Sequence, residues 1–216
     1  MPDRLRIPRP TAKRLSLYMR EAGLRLRDGI GQISSRQLGE TLGLTDAQVR
    51  KDLAYLGQSG QPGVGYPTRD LHDRIRHAMG TDQKWNAVLV GAGRIGRALL
   101  AYPSFDREDF RIVAVLDADP ALAGQTMEGR RIWPMAEMSH LVREHGCRIG
   151  IIAVPREAAQ AVADQLVRAR VTGILNFAPR RVEVPASTCV ISVDFTVALE
   201  QLAFEVNLAS ANGASS

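Results

Sequence analysis

Glycines 91, 93 and 96 stand in the spacing G-x-G-x-x-G, within the stretch NAVLVGAGRIGRALL that runs from residue 86 to 100. An apolar run precedes them and a helical pattern follows. That context suits a dinucleotide cradle. Gly91 permits a tight turn, Gly93 lets the backbone approach a pyrophosphate, and Gly96 lets the helix close on its strand. The helix start adds N–H groups and a positive dipole end, so Ala92, Arg94 and Ile95 share the phosphate site. Asp117 ends the next apolar run, 21 positions after Gly96. A carboxylate there accepts hydrogen bonds from an adenosine ribose. It also repels a 2′-phosphate, which favours NAD(H) over NADP(H). Asp119, just past the strand end, is the alternative for that role.

Groups that would transform a bound nucleotide's partner are missing. Hydride transfer calls for a proton donor or acceptor beside the nicotinamide. The four histidines (His72, His77, His140 and His145) lie on or near predicted helices, away from strand ends. No tyrosine is followed four positions later by lysine, and no serine sits in a nucleophile elbow. Cys147 and Cys189 fall in apolar runs and read as buried, reduced thiols. No catalytic residue and no metal site is expected.

The elements that position the cradle follow from periodicity. From residue 85 apolar strands alternate with helices: strands at 87–91, 110–117, 148–154, 173–178 and 189–195, helices from 94, 135 and 156. This order predicts a Rossmann-type, doubly wound parallel sheet in an α/β fold. A last apolar helix spans 196–209.

In front lie 84 residues of different character. Leu15, Tyr18, Met19, Ala22 and Leu26 mark a helix over 12–27, with Pro8 and Pro10 placed before it. Ser34 with Gln37, and Thr45 with Gln48, are capping-box patterns that open two short helices. The link LGLT between them gives a helix-turn-helix. The stretch QSGQPGVGYP reads as a wing, and a further helix ends at Gly80.

Charge follows the same division. Residues 1–84 hold 15 Lys+Arg against 9 Asp+Glu; residues 85–216 hold 13 against 14. The basic excess belongs to the front part, which suits a polyanionic partner. On the helix from Thr45, Gln48 suits adenine, and Arg50 or Lys51 suits guanine or phosphate. Tyr55, Ser59, Arg14 and Arg36 complete the expected DNA-binding set. No apolar run is long enough for a membrane helix, and the charged, proline-broken start lacks a signal-peptide core, so a cytoplasmic location is expected.

Several motifs in order carry a family. QVRKDLAYLG and GVGY in the front part, VGAGRIGRALLAYPSF in the nucleotide part, and AVPREAAQAVADQL, GILNFAP and VDF beyond it resemble the Rex redox-sensing transcriptional repressors over nearly the full length. The resemblance implies a homodimer that binds double-stranded operator DNA and releases it when NADH rises, with NAD+ competing. It implies a winged helix-turn-helix domain over 1–82 and an NAD(H)-binding domain over 83–194. A domain-swapped dimerisation helix over 195–210 and a tail over 211–216 follow. Tyr102, Val154, Pro155 and Phe195 join the cofactor-binding set, with Phe195 beside the ring. Tyr102 and Asp194 of opposite subunits can pair, and Arg20 can take Asp194 instead; from spacing alone Asp194 reads equally as a helix cap. One departure is the wing, where Gln61 and Pro62 stand in place of the family's basic residue, which implies weaker or shifted operator preference. The competing reading is an NAD-dependent oxidoreductase with an N-terminal oligomerisation arm.

Overall fold

The computed structural model describes residues 7–57, 64–102 and 109–213. It divides into two compact units, residues 1–83 and 84–216.

In the first unit α1 (Arg9–Arg27), β1 (Gln32–Ile33), α2 (Ser35–Leu42), α3 (Asp46–Ala54), β2 (Tyr66–Pro67) and α4 (Thr68–Met79) follow one another. α1 starts earlier than its apolar stripe suggested. Pro8 is its N-cap and Pro10 lies inside the first turn, where no carbonyl awaits an N–H and proline is tolerated. Ser34 and Gln37 form a complete capping box, Ser34 Oγ accepting from Gln37 N at 3.1 Å and Gln37 Oε1 from Ser34 N at 2.9 Å. The second box is half formed. Thr45 accepts from Gln48 N at 3.2 Å, but the Gln48 side chain turns to Asp52 instead of back to the cap.

The turn between α2 and α3 is tight. A Cβ on Gly39 would lie 2.5 Å from Leu44 O, so only glycine lets the two helices close there. β2, at the end of the stretch expected to form a wing, pairs antiparallel with β1, Ile33 opposite Tyr66. Ser59, Gln61 and Pro62 lie outside the described residues. Leu15, Tyr18, Ile33, Leu38, Val49, Leu53, Tyr66, Leu71 and Ile75 form this unit's core.

The second unit comprises β3 (Trp85–Val90), α5 (Arg94–Ala101), β4 (Phe110–Asp117), β5 (Thr126–Met127), β6 (Arg130–Pro134), α6 (Met138–Glu144), β7 (Ile149–Ile152), α7 (Ala159–Arg168), β8 (Gly173–Asn176), β9 (Cys189–Ser192) and α8 (Phe195–Gly213). The sheet runs β5-β6-β4-β3-β7-β8-β9. All neighbours are parallel except β5 with β6. The parallel strands thus have the dinucleotide-binding order 3-2-1-4-5-6, and the order reverses beside β3. Between β4 and β6 a 3-10 turn and the β5 hairpin stand where a helix would usually cross; the sequence pattern did not reveal this hairpin.

Alternation along the strands buries both faces. Val88, Val90 and Leu116 pack with Leu141, Val162 and Leu166 from α6 and α7. Leu89, Val115 and Ile151 pack with Leu99 and Leu100 from α5. β9 is the sheet's edge, so Cys189 is exposed, contrary to the buried thiol expected from its apolar run; Cys147 is buried as expected. Among the described residues no helix is long and apolar enough to cross a membrane.

Candidate functional site

The three glycines of the turn do different work. Gly91 has φ +109°, and a Cβ there would lie 2.4 Å from Ala153 O. A Cβ on Gly96 would lie 2.0 Å from Gly91 O. Both positions are closed by the protein's own backbone. A Cβ on Gly93 meets nothing within 4 Å. Gly93 is also the N-cap of α5 and supplies no side-chain cap. The first-turn N–H groups at Arg94, Ile95 and Gly96 lack a carbonyl one turn earlier, an arrangement that suits an anion. A groove of about 590 Å³ runs over it, lined by Ala92, Gly93, Arg94, Arg97, Ala98, Ala101 and Glu128. The cradle fits a pyrophosphate: closed where helix meets strand, open where a ligand's phosphates would lie.

Asp117 is tied into the turn. Its Oδ2 accepts from Ala92 N at 2.7 Å and its Oδ1 from Asp119 N at 2.9 Å. Asp119 uses its own carboxylate on Ala121 N, capping the 3-10 turn. Asp117 therefore sits at the strand end beside the glycines, while Asp119 belongs to the next element.

The remaining candidates of this unit gather mostly at strand ends. Val154 and Pro155 follow β7, and Val154 Cγ1 lies 3.1 Å from where a Gly91 Cβ would be. Phe195 follows β9, its ring 6.3 Å from that of Phe177 beyond β8. Asp194 Oδ1 accepts from Thr196 N at 2.9 Å, so it does cap α8. Tyr102 stands at the C-cap of α5 and is exposed. Arg20 is exposed on α1 of the first unit.

On α3, Arg50 and Lys51 are exposed and Tyr55 is the half-buried C-cap. Arg50 Nη1 donates to Asp46 Oδ2 at 2.5 Å, a bond that holds the Asp46 carboxyl below its ordinary value. Arg36 is exposed on α2. Arg14, expected at the DNA, is paired inside its own unit. Its Nε and Nη2 donate to Asp52 Oδ2 and Oδ1 at 2.6 and 2.7 Å, so its guanidinium anchors α1 to α3.

Asp52, which sequence reasoning passed over, is the hub of that anchor. Its side chain is 1% exposed. It also accepts from Tyr18 OH at 2.8 Å, Thr11 Oγ1 at 3.3 Å and Gln48 Nε2 at 2.9 Å. Burial alone would push this carboxyl up; the bonds from Arg14 and Tyr18 outweigh it and hold it below the ordinary carboxylate value. Tyr18 in turn is raised by burial and by its bond to Asp52. The available signal was an aspartate three residues after Val49 and beside Leu53, on the stripe that must be buried.

The histidines pair locally: His72 with Asp73, His77 with Asp82 and His140 with Glu144, while His145 caps α6. Burial pushes the Cys147 thiol up to about 11, which suppresses the thiolate. Among the described residues no cluster of three His, Cys, Asp or Glu forms a metal-binding group.

Known proteins match both units. A family described as a CoA binding domain matches residues 82–180. A family described as "Putative DNA-binding protein N-terminus" matches residues 6–54. The redox-sensing transcriptional repressor Rex of Carboxydothermus hydrogenoformans is 45% identical over 201 residues, covering 93% of this chain and 97% of that one. Its counterpart in Desulforamulus reducens is 43% identical over 204 residues, covering 94% and 97%. Among solved structures, RSP, a Rex-family repressor, aligns with a TM-score of 0.86 at 29% identity over 94% of this chain and 95% of its own. RSP in complex with beta-NAD+ and operator DNA aligns with a TM-score of 0.87 at 29% identity, covering 96% and 95%. RSP in complex with beta-NADH gives 0.86 at 27% identity, covering 98% and 99%.

Proposed function

The chain belongs to the Rex family of redox-sensing transcriptional repressors, and from that membership we propose that it binds operator DNA as a homodimer and releases it when NADH binds. It is a regulator and not an enzyme: it senses the NADH/NAD+ ratio in the cytoplasm and turns over no substrate. One observation carries this reading. A single chain joins a helix-turn-helix unit, α2 and α3, to a parallel sheet whose glycine turn is open to a ligand only at Gly93.

Residues 1–82 form the DNA-binding domain, with α3 in the major groove. Arg50, Lys51 and Arg36 supply the phosphate and base contacts, supported by Gln48, Tyr55 and Ser59. Residues 83–194 form the nucleotide domain. Gly91 to Gly96 hold the pyrophosphate and Asp117 holds the ribose. NAD(H), when bound, brings a nicotinamide ring that is neutral reduced and cationic oxidised. Val154, Pro155 and Phe195 would give that ring an apolar site, which would disfavour an unpaired charge and so favour NADH.

The apolar surface of α8 supports the reading of an exchanged helix. Phe195, Leu199, Leu202 and Val206 form one exposed stripe; Val197, Phe204 and Leu208 form another. At about 3.6 residues per turn the two stripes fall on opposite sides. A helix apolar on two sides needs a covering surface on each, which a second copy of the chain supplies. Asp194 keeps one carboxylate oxygen on the α8 cap and offers the other to Tyr102 of the opposite subunit or to Arg20. That choice of partner links the ring's redox state to the DNA-binding domains. Moving such a dimer from one state to the other takes differential binding of about 5.5 kcal/mol.

The test is operator binding titrated with NADH and, separately, NAD+. NADH alone abolishes binding if the reading holds; DNA binding that persists at saturating NADH overturns it.

A further inference from the structure

The half-formed capping box at Thr45 has a cause that reaches the surface of α3. Gln48 Nε2 donates to Asp52 Oδ1 at 2.9 Å. An ionised carboxylate only accepts hydrogen bonds, so the nitrogen end of the Gln48 amide must face inward and the oxygen end must face away. Asp52 is itself bonded on both oxygens from α1. Arg14 grips both of its oxygens and Tyr18 OH adds a bond to Oδ2, all from α1. A half-buried side chain on the N-terminal half of α3 is thereby held in one orientation with one polarity. No described residue donates a bond to Gln48 Oε1.

We propose that Asp52 is a positioning residue for base recognition: it locks the Gln48 amide so that Oε1 is presented as an acceptor to one base edge in each half-site. The matching donors in the major groove are the exocyclic amino groups of adenine N6 and cytosine N4. Guanine and thymine present only acceptors at the corresponding edge and leave Oε1 unpaired. Without Asp52 the amide flips freely and accepts either class. The proposal rests on the DNA-binding reading of α3 and adds to it a reason for specificity at a position where the amide alone is ambiguous.

The experiment selects preferred duplexes from a random-sequence pool with the full-length protein. Affinities are then measured for every single base-pair substitution of the selected duplex. Gln48→Met removes the acceptor at the surface, and Asp52→Asn removes the constraint on polarity. Both variants are expected to lose about tenfold discrimination at the same base pair of each half-site, with preferences elsewhere retained. A uniform loss of affinity in Asp52→Asn with the wild-type preference intact makes Asp52 a structural anchor only and overturns the proposal. Unchanged preference in Gln48→Met overturns it too. If Asp52→Asn does not fold, the wild type decides alongside Gln48→Met: by NMR one Nε2 proton of Gln48 must exchange slowly, and fast exchange of both overturns the proposal. Failure of the wild type to select any sequence overturns the DNA-binding reading itself, a separate outcome.

Discussion

The backbone N–H of Ala92 donates to Asp117 Oδ2 at 2.7 Å, so the glycine turn and the acidic end of β4 are one structure. Asp117 thus shapes the loop, and in the function proposed above it also selects the nucleotide. Asp117→Asn keeps an acceptor for Ala92 but removes the charge that repels a 2′-phosphate. We expect this variant to retain its fold and to narrow the preference for NADH over NADPH by about tenfold, an electrostatic contribution of about 1.4 kcal/mol. Affinities for both nucleotides by fluorescence titration check this; an unchanged ratio sinks it.

The glycines separate fold from ligand. Gly96→Ala puts a methyl group 2.0 Å from Gly91 O and must distort the turn. Gly93→Ala meets no protein atom within 4 Å. We expect Gly96→Ala to lower the melting temperature and Gly93→Ala to leave it nearly unchanged, while both lose NADH affinity. If Gly93→Ala binds NADH normally, the pyrophosphate does not pass over that residue.

Arg14→Met leaves Asp52 buried with its charge and without its bidentate partner. Breaking such a pair costs about 3 kcal/mol. Urea denaturation followed by circular dichroism should register the loss. Because Arg14 is committed to Asp52, the salt dependence of DNA binding should stay unchanged, whereas Lys51→Ala should lower its slope by about one counterion. The reverse pattern would return Arg14 to the DNA surface.

Asp52 also sets an acid limit. Its carboxyl is depressed in the folded chain, so its stabilisation is complete above the ordinary carboxylate value, about 3.9. It is lost as pH falls through the lower folded value. Stability of the first unit should therefore fall with acid below about pH 4, and Asp52→Asn should flatten that fall. Denaturation midpoints measured from pH 6 downward give the answer.

Local chemistry was legible in the sequence and tertiary competition was not. The Ser34–Gln37 box could be read because both of its bonds join residues three apart. The Thr45–Gln48 box has the same pattern, but Asp52, fixed by three residues of α1, takes the amide away. That Gly91, Gly93, Gly96 and Asp117 lie together was legible because turn, strand and spacing constrain one another. β5 and β6 escaped because two residues, and the five of RRIWP, show no usable alternation. Cys189 was misjudged because an apolar run does not say which strand lies at the edge.

If α8 is the exchanged dimerisation helix proposed above, its two opposed stripes make abundance a variable of regulation. Phe195, Leu199 and Leu202 on one side and Val197 and Phe204 on the other face solvent in a lone chain. Folding of that helix and pairing of chains are then a single equilibrium, and it is governed by mass action. On dilution the repressor should lose thermal stability as it loses its partner, so its melting temperature should rise with its own concentration. A cell that lets the protein run low would silence the sensor whatever the nucleotide ratio.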